Sequence, residues 1–195
     1  VEYDKKTGIN VNEYLQTTNP KIYAAGDCCF PYQFTHAADA TARIVIRNAL
    51  FRRKEKTTDL VIPWCTYTQP EIAHTGLYEK EAQEQGLETE TITIPFDEVD
   101  RAIVEDDDHG MLKILLKKDT DQILGATIVG NRAGDIISEL TVAITQKIGL
   151  RKFSSVIHPY PTQAEVIRKA ADLSNKKRLT PFVQKLSRWW LKLSR

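Results

Sequence analysis

An imidazole, a phenol and a carboxylate lie close together in the run Val156-Ile157-His158-Pro159-Tyr160-Pro161-Thr162-Gln163-Ala164-Glu165. Histidine is the side chain that ordinarily changes charge near neutrality, so His158 is the natural proton carrier of the three. Tyr160 can donate a hydrogen bond or touch a soft metal, but a phenol with a pKa of about 10 is a poor base at pH 7. The prolines fix φ and bias the residues before them toward extended geometry. Positions two apart in an extended run share a side, so His158 and Tyr160 are expected to project together. Thr162 then stops the run and opens a helix, with Glu165 three positions on. A plainer reading also fits: Thr162-x-x-Glu165 matches a capping box, in which the two side chains satisfy orphan backbone N–H groups. The local pattern leaves both open.

Two further stretches could hold a ligand. Lys21-Ile22-Tyr23-Ala24-Ala25 reads as a short strand running into Gly26-Asp27, and a carboxylate after a permissive glycine suits a ligand hydroxyl. An ordinary turn aspartate is the alternative. Phe34-Thr35-His36 opens a helix that runs through Ile44, Ile46 and Leu50, with Thr35 as its N-cap. Unpaired N–H groups at such a start favour negative charge. A histidine there is also a common surface or capping residue. Cys28-Cys29 could close only a strained ring, so burial as a small hydrophobe is the expected role rather than redox chemistry. Glu105-Asp106-Asp107-Asp108 reads as a solvated acidic loop and not a metal site.

Taken together, these stretches resemble the flavin disulfide reductases: lipoamide dehydrogenase, glutathione reductase and mercuric reductase. His158-Pro159-Tyr160-Pro161-Thr162 with Glu165 is similar to the family's C-terminal signature, which reaches into the partner subunit's active site. The family's acid–base His falls at Tyr160. Mercuric reductases carry Tyr there, so the resemblance is stronger on that side. It implies that Tyr160, His158 and Glu165 line the partner's disulfide site and that Tyr160–Pro161 is cis. Ile22-Tyr23-Ala24-Ala25-Gly26-Asp27 resembles the second FAD motif, implying that Gly26 and Asp27 meet the ribityl chain. The backbone of Phe34, Thr35 and His36 would then face the flavin ring. Ile62-Pro63-Trp64 through His74-Thr75-Gly76 resembles the entry to the interface domain. Three departures stand out. The chain has no Gly-x-Gly-x-x-Gly and no Cys-x-x-x-x-Cys, and its tail lacks the terminal cysteine pair of mercuric reductases.

The elements that must position these residues follow from periodicity. Val1–Asp4 and Ile9–Val11 read as a hairpin turned by Gly8. Arg52-Arg53-Lys54-Glu55-Lys56 reads as a charged hinge, with a boundary near Asp59. Beyond it, a helix at Glu79–Gln85, a strand at Thr89–Pro95, a hairpin of Met111–Lys117 with Ile123–Val129, and a helix at Ala133–Gln146 predict an α+β fold. That is an antiparallel sheet flanked by helices, preceded by the C-terminal piece of a Rossmann-like FAD domain. Asn131 and Gly134 are expected to turn the chain before the last helix. The expected domains are 1–58, the end of an FAD-binding domain; 59–175, a dimerisation domain; and 176–195, a basic tail helix.

Composition fits a soluble globular protein: 42% hydrophobic, 27% charged and a net charge of +1 over 195 residues. That balance argues against nucleic acid as a partner. Three cysteines without framework or zinc spacing suit a reducing, cytoplasmic setting. The chain opens on Val1 and reads as part of something longer. The resemblance implies a homodimer through 59–175, further FAD and NAD(P) domains toward the N-terminus, and FAD and NAD(P)H as cofactors of the intact enzyme, with none bound by this part alone. The tail is different. Lys176, Lys177, Arg178, Lys185, Arg188, Lys192 and Arg195 stand there with no acidic residue. Thr180 and Pro181 suit a helix start, and Phe182, Leu186, Trp189, Trp190 and Leu193 recur at helical spacing. Two readings remain, peripheral membrane contact by 180–193 or packing of the stripe on protein.

Overall fold

The computed structural model describes residues 1–193, and the chain divides into two compact units between Ile62 and Pro63. In the first, strands β1 (Tyr3–Asp4) and β2 (Gly8–Ile9) pair antiparallel, as the hairpin reading requires. The Asp4 carboxylate accepts from the Lys6 and Thr7 N–H groups and so closes the turn. The expected strand at Lys21–Ala25 does not form. Its backbone instead folds against Leu15–Thr17 around Asn19-Pro20, with one bridge between Gln16 and Tyr23 and a bond from Ala24 N to Leu15 O. A 3₁₀ turn at Gly26–Cys28 follows, then helix α1 (Thr35–Phe51).

The core of this unit is thin. Leu15, Ala24, Ala37 and Ile44 are its buried apolar side chains, while Ile46 and Leu50 of α1 face outward. Polar bonds supplement it. Asn48 donates to the Tyr14 and Glu55 carbonyls and accepts from the Glu55 N–H, so one buried amide ties three segments together.

The second unit is built on one antiparallel sheet in the order β3-β4-β7-β6-β5, from β3 (Trp64–Thr66), β4 (Glu71–Gly76), β5 (Thr89–Pro95), β6 (Met111–Lys117) and β7 (Ile123–Gly130). Register explains its two faces. Ile94, Leu112, Ile128 and Ala73 form one row across the sheet, and Ile92, Ile114, Ala126 and Thr75 the next. Between them runs a polar row of Thr93, Lys113, Thr127 and His74 pointing to the other side, the period of two that a pleated strand imposes. The apolar rows pack against α4 (Ala133–Thr145) through Ile136, Ile137, Leu140 and Ala143, and against α5 (Glu165–Lys177) through Val166, Ile167, Ala170 and Ala171. Burying each large aliphatic there contributes about 1.5–3 kcal/mol. On the opposite face, α2 (Glu79–Glu84) covers one end through Ala82, against Leu115 and Leu124.

Three local expectations change. Thr35 is the first residue of α1 and Phe34 its cap, with no side-chain cap bond, because Phe34 already holds the extended conformation that a cap needs. Gly134 lies inside α4, and it is Arg132, at φ 61°, that turns the chain. The Gly134 N–H donates to Glu71 Oε2 at 3.0 Å, so a carboxylate from β4 takes the place of a local cap. The loop at Glu105–Asp108, after the short helix α3 (Asp100–Val104), is not merely solvated: Glu105 pairs with Arg101 and Arg132. At the far end α6 (Pro181–Leu193) begins as expected, with Thr180 Oγ1 accepting from the Val183 N–H at 3.4 Å.

Candidate functional site

The run from Val156 to Glu165 leaves the sheet layer as an irregular segment. The capping box does not form. Helix α5 starts at Glu165, Thr162 Oγ1 turns back to donate to the Pro159 carbonyl at 2.8 Å, and the Glu165 carboxylate pairs with Arg168. His158 and Tyr160 do not project together, because the backbone bends at Tyr160 and the same-side rule of a straight strand no longer holds. The His158 ring is buried, with Nε2 3.2 Å from Glu139 Oε1 on α4. Tyr160 is 71% exposed, and its hydroxyl donates to Asp100 Oδ2 at 2.8 Å. That bond to a carboxylate holds the phenol in its protonated form and raises its pKa above the usual tyrosine range. Tyr160–Pro161 is cis, and so is Gln69–Pro70.

Gln163 anchors the segment. Its side chain is buried, and Nε2 donates to Asp107 Oδ2 at 3.0 Å and Glu105 Oε2 at 3.3 Å. The result is a loop pinned at His158 and Gln163 with Ile157, 94% exposed, and Tyr160 standing outward. Three buried polar atoms of the same segment have no hydrogen-bond partner: His158 Nδ1, Gln163 Oε1 and Glu165 Oε2. Each such atom costs about 1–3 kcal/mol where it stays unpaired.

In the first unit, Gly26 adopts φ +72°, and a Cβ there would come within 3.1 Å of Ala38 Cβ. Its N–H donates to Thr41 Oγ1 at 3.0 Å, which fixes the 3₁₀ turn to α1. Asp27, next along, is exposed and lines an open groove of about 520 Å³ with Lys6, Gly8, Cys29 and Phe30. The first turn of α1 carries no side-chain cap, and the Phe34 and His36 rings stack with centroids 5.2 Å apart. An exposed carboxylate after a left-handed glycine, whose N–H is bonded to Thr41 of α1, suits a ligand polyol. The cysteines depart in part from the expected burial: Cys28 is exposed and Cys29 half-buried, both as free thiols. Among the described residues no group of three or more His, Cys, Asp or Glu could hold a metal ion.

Residues 62–171 match the pyridine nucleotide-disulphide oxidoreductase dimerisation domain, and residues 1–42 match the pyridine nucleotide-disulphide oxidoreductase model. The chain belongs to this family. It is 38% identical over 171 residues to a mercuric reductase of Staphylococcus aureus, covering 88% of this chain and 31% of that protein. It is 32% identical over 176 residues to a dihydrolipoyl dehydrogenase of Thermus scotoductus, covering 90% and 38%. Among solved structures, the HOCl-induced flavoprotein disulfide reductase RclA of Escherichia coli superposes with a TM-score of 0.81 at 25% identity, over 89% of this chain and 40% of that one. The chain therefore spans about a third of the length of the curated relatives it matches.

Within this oxidoreductase frame, sequence reasoning missed Asp100, Glu139 and Gln163, which hold the segment in place. Asp100 lies 60 residues from Tyr160, so no local pattern could signal it. Gln163 sat in view between Thr162 and Glu165, where a capping-box reading gives it no role.

Proposed function

We propose that this chain is the C-terminal share of an FAD-dependent, NAD(P)H-using disulfide oxidoreductase of the mercuric-reductase type, placed in the cytoplasm and assembled as a homodimer through residues 59–175. Its domains follow as the end of an FAD-binding domain to residue 58, the dimerisation domain to 175, and a tail. FAD and NAD(P) domains nearer the N-terminus would complete the enzyme. The observation that carries the reading is the pinned segment: Ile157 and Tyr160 stand exposed on a loop clamped by His158–Glu139 and by Gln163. A loop already held at His158 and Gln163 loses less entropy on meeting a partner subunit than a free one.

In that assembly Tyr160 presents its hydroxyl to the partner's disulfide site, with Glu165 behind it and His158 as the proton-carrying group. Asp27 and Gly26 would hold the flavin polyol, and the backbone at Phe34, Thr35 and His36 its ring. The flavin, when bound, passes electrons from the nicotinamide to the disulfide. A second reading, a non-catalytic dimerisation module, draws on the core that the second unit closes from its own residues.

Sedimentation of this chain at micromolar concentration should show a dimer, with no NAD(P)H turnover. A monomer, or turnover by this chain alone, would overturn the assignment. In the intact enzyme Asp27→Ala should reduce retained flavin, and Tyr160→Phe should lower kcat with flavin content unchanged. An intact protein that is dimeric, colourless and unable to take up added FAD would select the module reading.

A further inference from the structure

Helix α6 carries a surface that the oxidoreductase reading leaves without a role. Its thirteen residues, Pro181–Leu193, span about 20 Å at 1.5 Å per residue, and no described helix is long and apolar enough to cross a membrane. At 100° per residue, Phe182, Val183, Leu186, Trp189, Trp190 and Leu193 occupy by position one arc of roughly 120°. Lys185, Arg188 and Lys192 fall together along the edge of that arc, beside Trp189. The arc's large aromatic side chains are exposed: Phe182 is 74% exposed, Trp189 60% and Trp190 62%. The Val183 and Gln184 N–H groups and the Gln184 side chain donate back to Thr180 and Leu179.

We infer that α6 lies flat on an anionic lipid surface, with the two indoles at headgroup depth and the basic edge against lipid phosphates. Three observations favour lipid over protein. Residues 176–195 hold seven basic and no acidic residues, complementary to an anionic plane and self-repelling toward a second copy of the same helix. Tryptophan has an apolar body and a polar N–H, which suits the boundary between headgroups and chains. The length fits an in-plane helix and not a spanning one. Membrane placement is independent of the reductase assignment, since no residue of α6 enters that argument.

The test uses the full chain and vesicles of phosphatidylcholine alone or mixed with phosphatidylglycerol. The protein should float with the mixed vesicles at low salt, release as salt rises, and show blue-shifted indole emission. Trp64, the remaining tryptophan, lies on β3 and reports background. A Trp189→Ala/Trp190→Ala variant should lose the shift and most of the flotation while keeping the dimer. Lys185→Glu/Arg188→Glu/Lys192→Glu should abolish flotation with both indoles present. Unshifted emission and no flotation at low salt would overturn the proposal. So would indoles already blue-emitting and shielded from quencher before vesicles are added, which would mean that protein covers the arc.

Discussion

His74 has both ring nitrogens engaged in the second unit: Nδ1 lies 2.8 Å from Thr127 Oγ1 and Nε2 3.1 Å from the Gly76 carbonyl. A carbonyl can only accept, so Nε2 carries a proton, and burial disfavours the charged ring; in the neutral form Nδ1 accepts from the threonine hydroxyl. The Tyr78 ring stacks on it at 3.7 Å, and burial lowers its pKa below 6.5. The sign follows directly. As pH falls through the ordinary histidine value the unfolded imidazole takes a proton that the folded one refuses, so stability declines with a limiting slope of about 1.4 kcal/mol per pH unit. A His74→Asn variant should show a flatter stability profile across that window in urea titrations; an unchanged slope would exclude His74 as its source. A thiol gives the second prediction at this scale. Burial, and then the neighbouring Cys28, push Cys29 up to about 11. At pH 8 its thiolate fraction is about a hundredfold below that of an ordinary thiol, and alkylation followed by peptide mass spectrometry should show that lag. Equal labelling of Cys29 and a model thiol would contradict the burial argument.

The strands and their covering helices tolerate little change where backbone meets ring. At the end of β7, a Cβ on Gly130 would lie 2.0 Å from Phe96 Cε2 and 2.6 Å from Cδ2, and Phe96 is fully buried. Gly130→Ala must therefore displace the ring and should cost about 1–3 kcal/mol, read as a lower urea midpoint with an unchanged m-value. A midpoint equal to that of the parent would mean that Phe96 has room the packing does not show. The strands were legible, since alternation in Thr89–Pro95 and the apolar run of Met111–Lys117 ending at a turn mark them out, and both form with those bounds. The segment around His158 was legible only as a set of residue types. Its geometry depends on Glu139, Asp100, Glu105 and Asp107, all distant in sequence, and on a bend at Tyr160 that defeats the same-side rule. Lys21–Ala25 has the composition of a strand, but a strand is defined by its neighbours, and here its backbone partners are the residues just before it.

At the scale of the molecule, the two units differ in how much apolar surface each closes on its own. Pro63–Arg195 sets five strands and two long helices around one continuous cluster that includes Phe96, Leu112, Ile114, Ile128, Leu140 and Ile167, all fully buried. Val1–Ile62 buries only Leu15, Ala24, Ala37 and Ile44 as apolar side chains, and two of these are alanines flanking the turn and helix proposed for flavin. A unit of about 60 residues is marginal even with a full core, and protection against hydrogen exchange follows local burial. Amides of α1 should therefore exchange well before those of β6 and β7, at denaturant concentrations where the second unit is still folded. Asn48→Ala should widen that gap, because removing the amide orphans the Glu55 N–H and the carbonyls of Tyr14 and Glu55 at a cost of about 1–3 kcal/mol. Exchange followed by mass spectrometry reads both units in one sample. Equal protection of α1 and β6, lost together in one transition, would show that the first unit draws stability from something other than its own thin core.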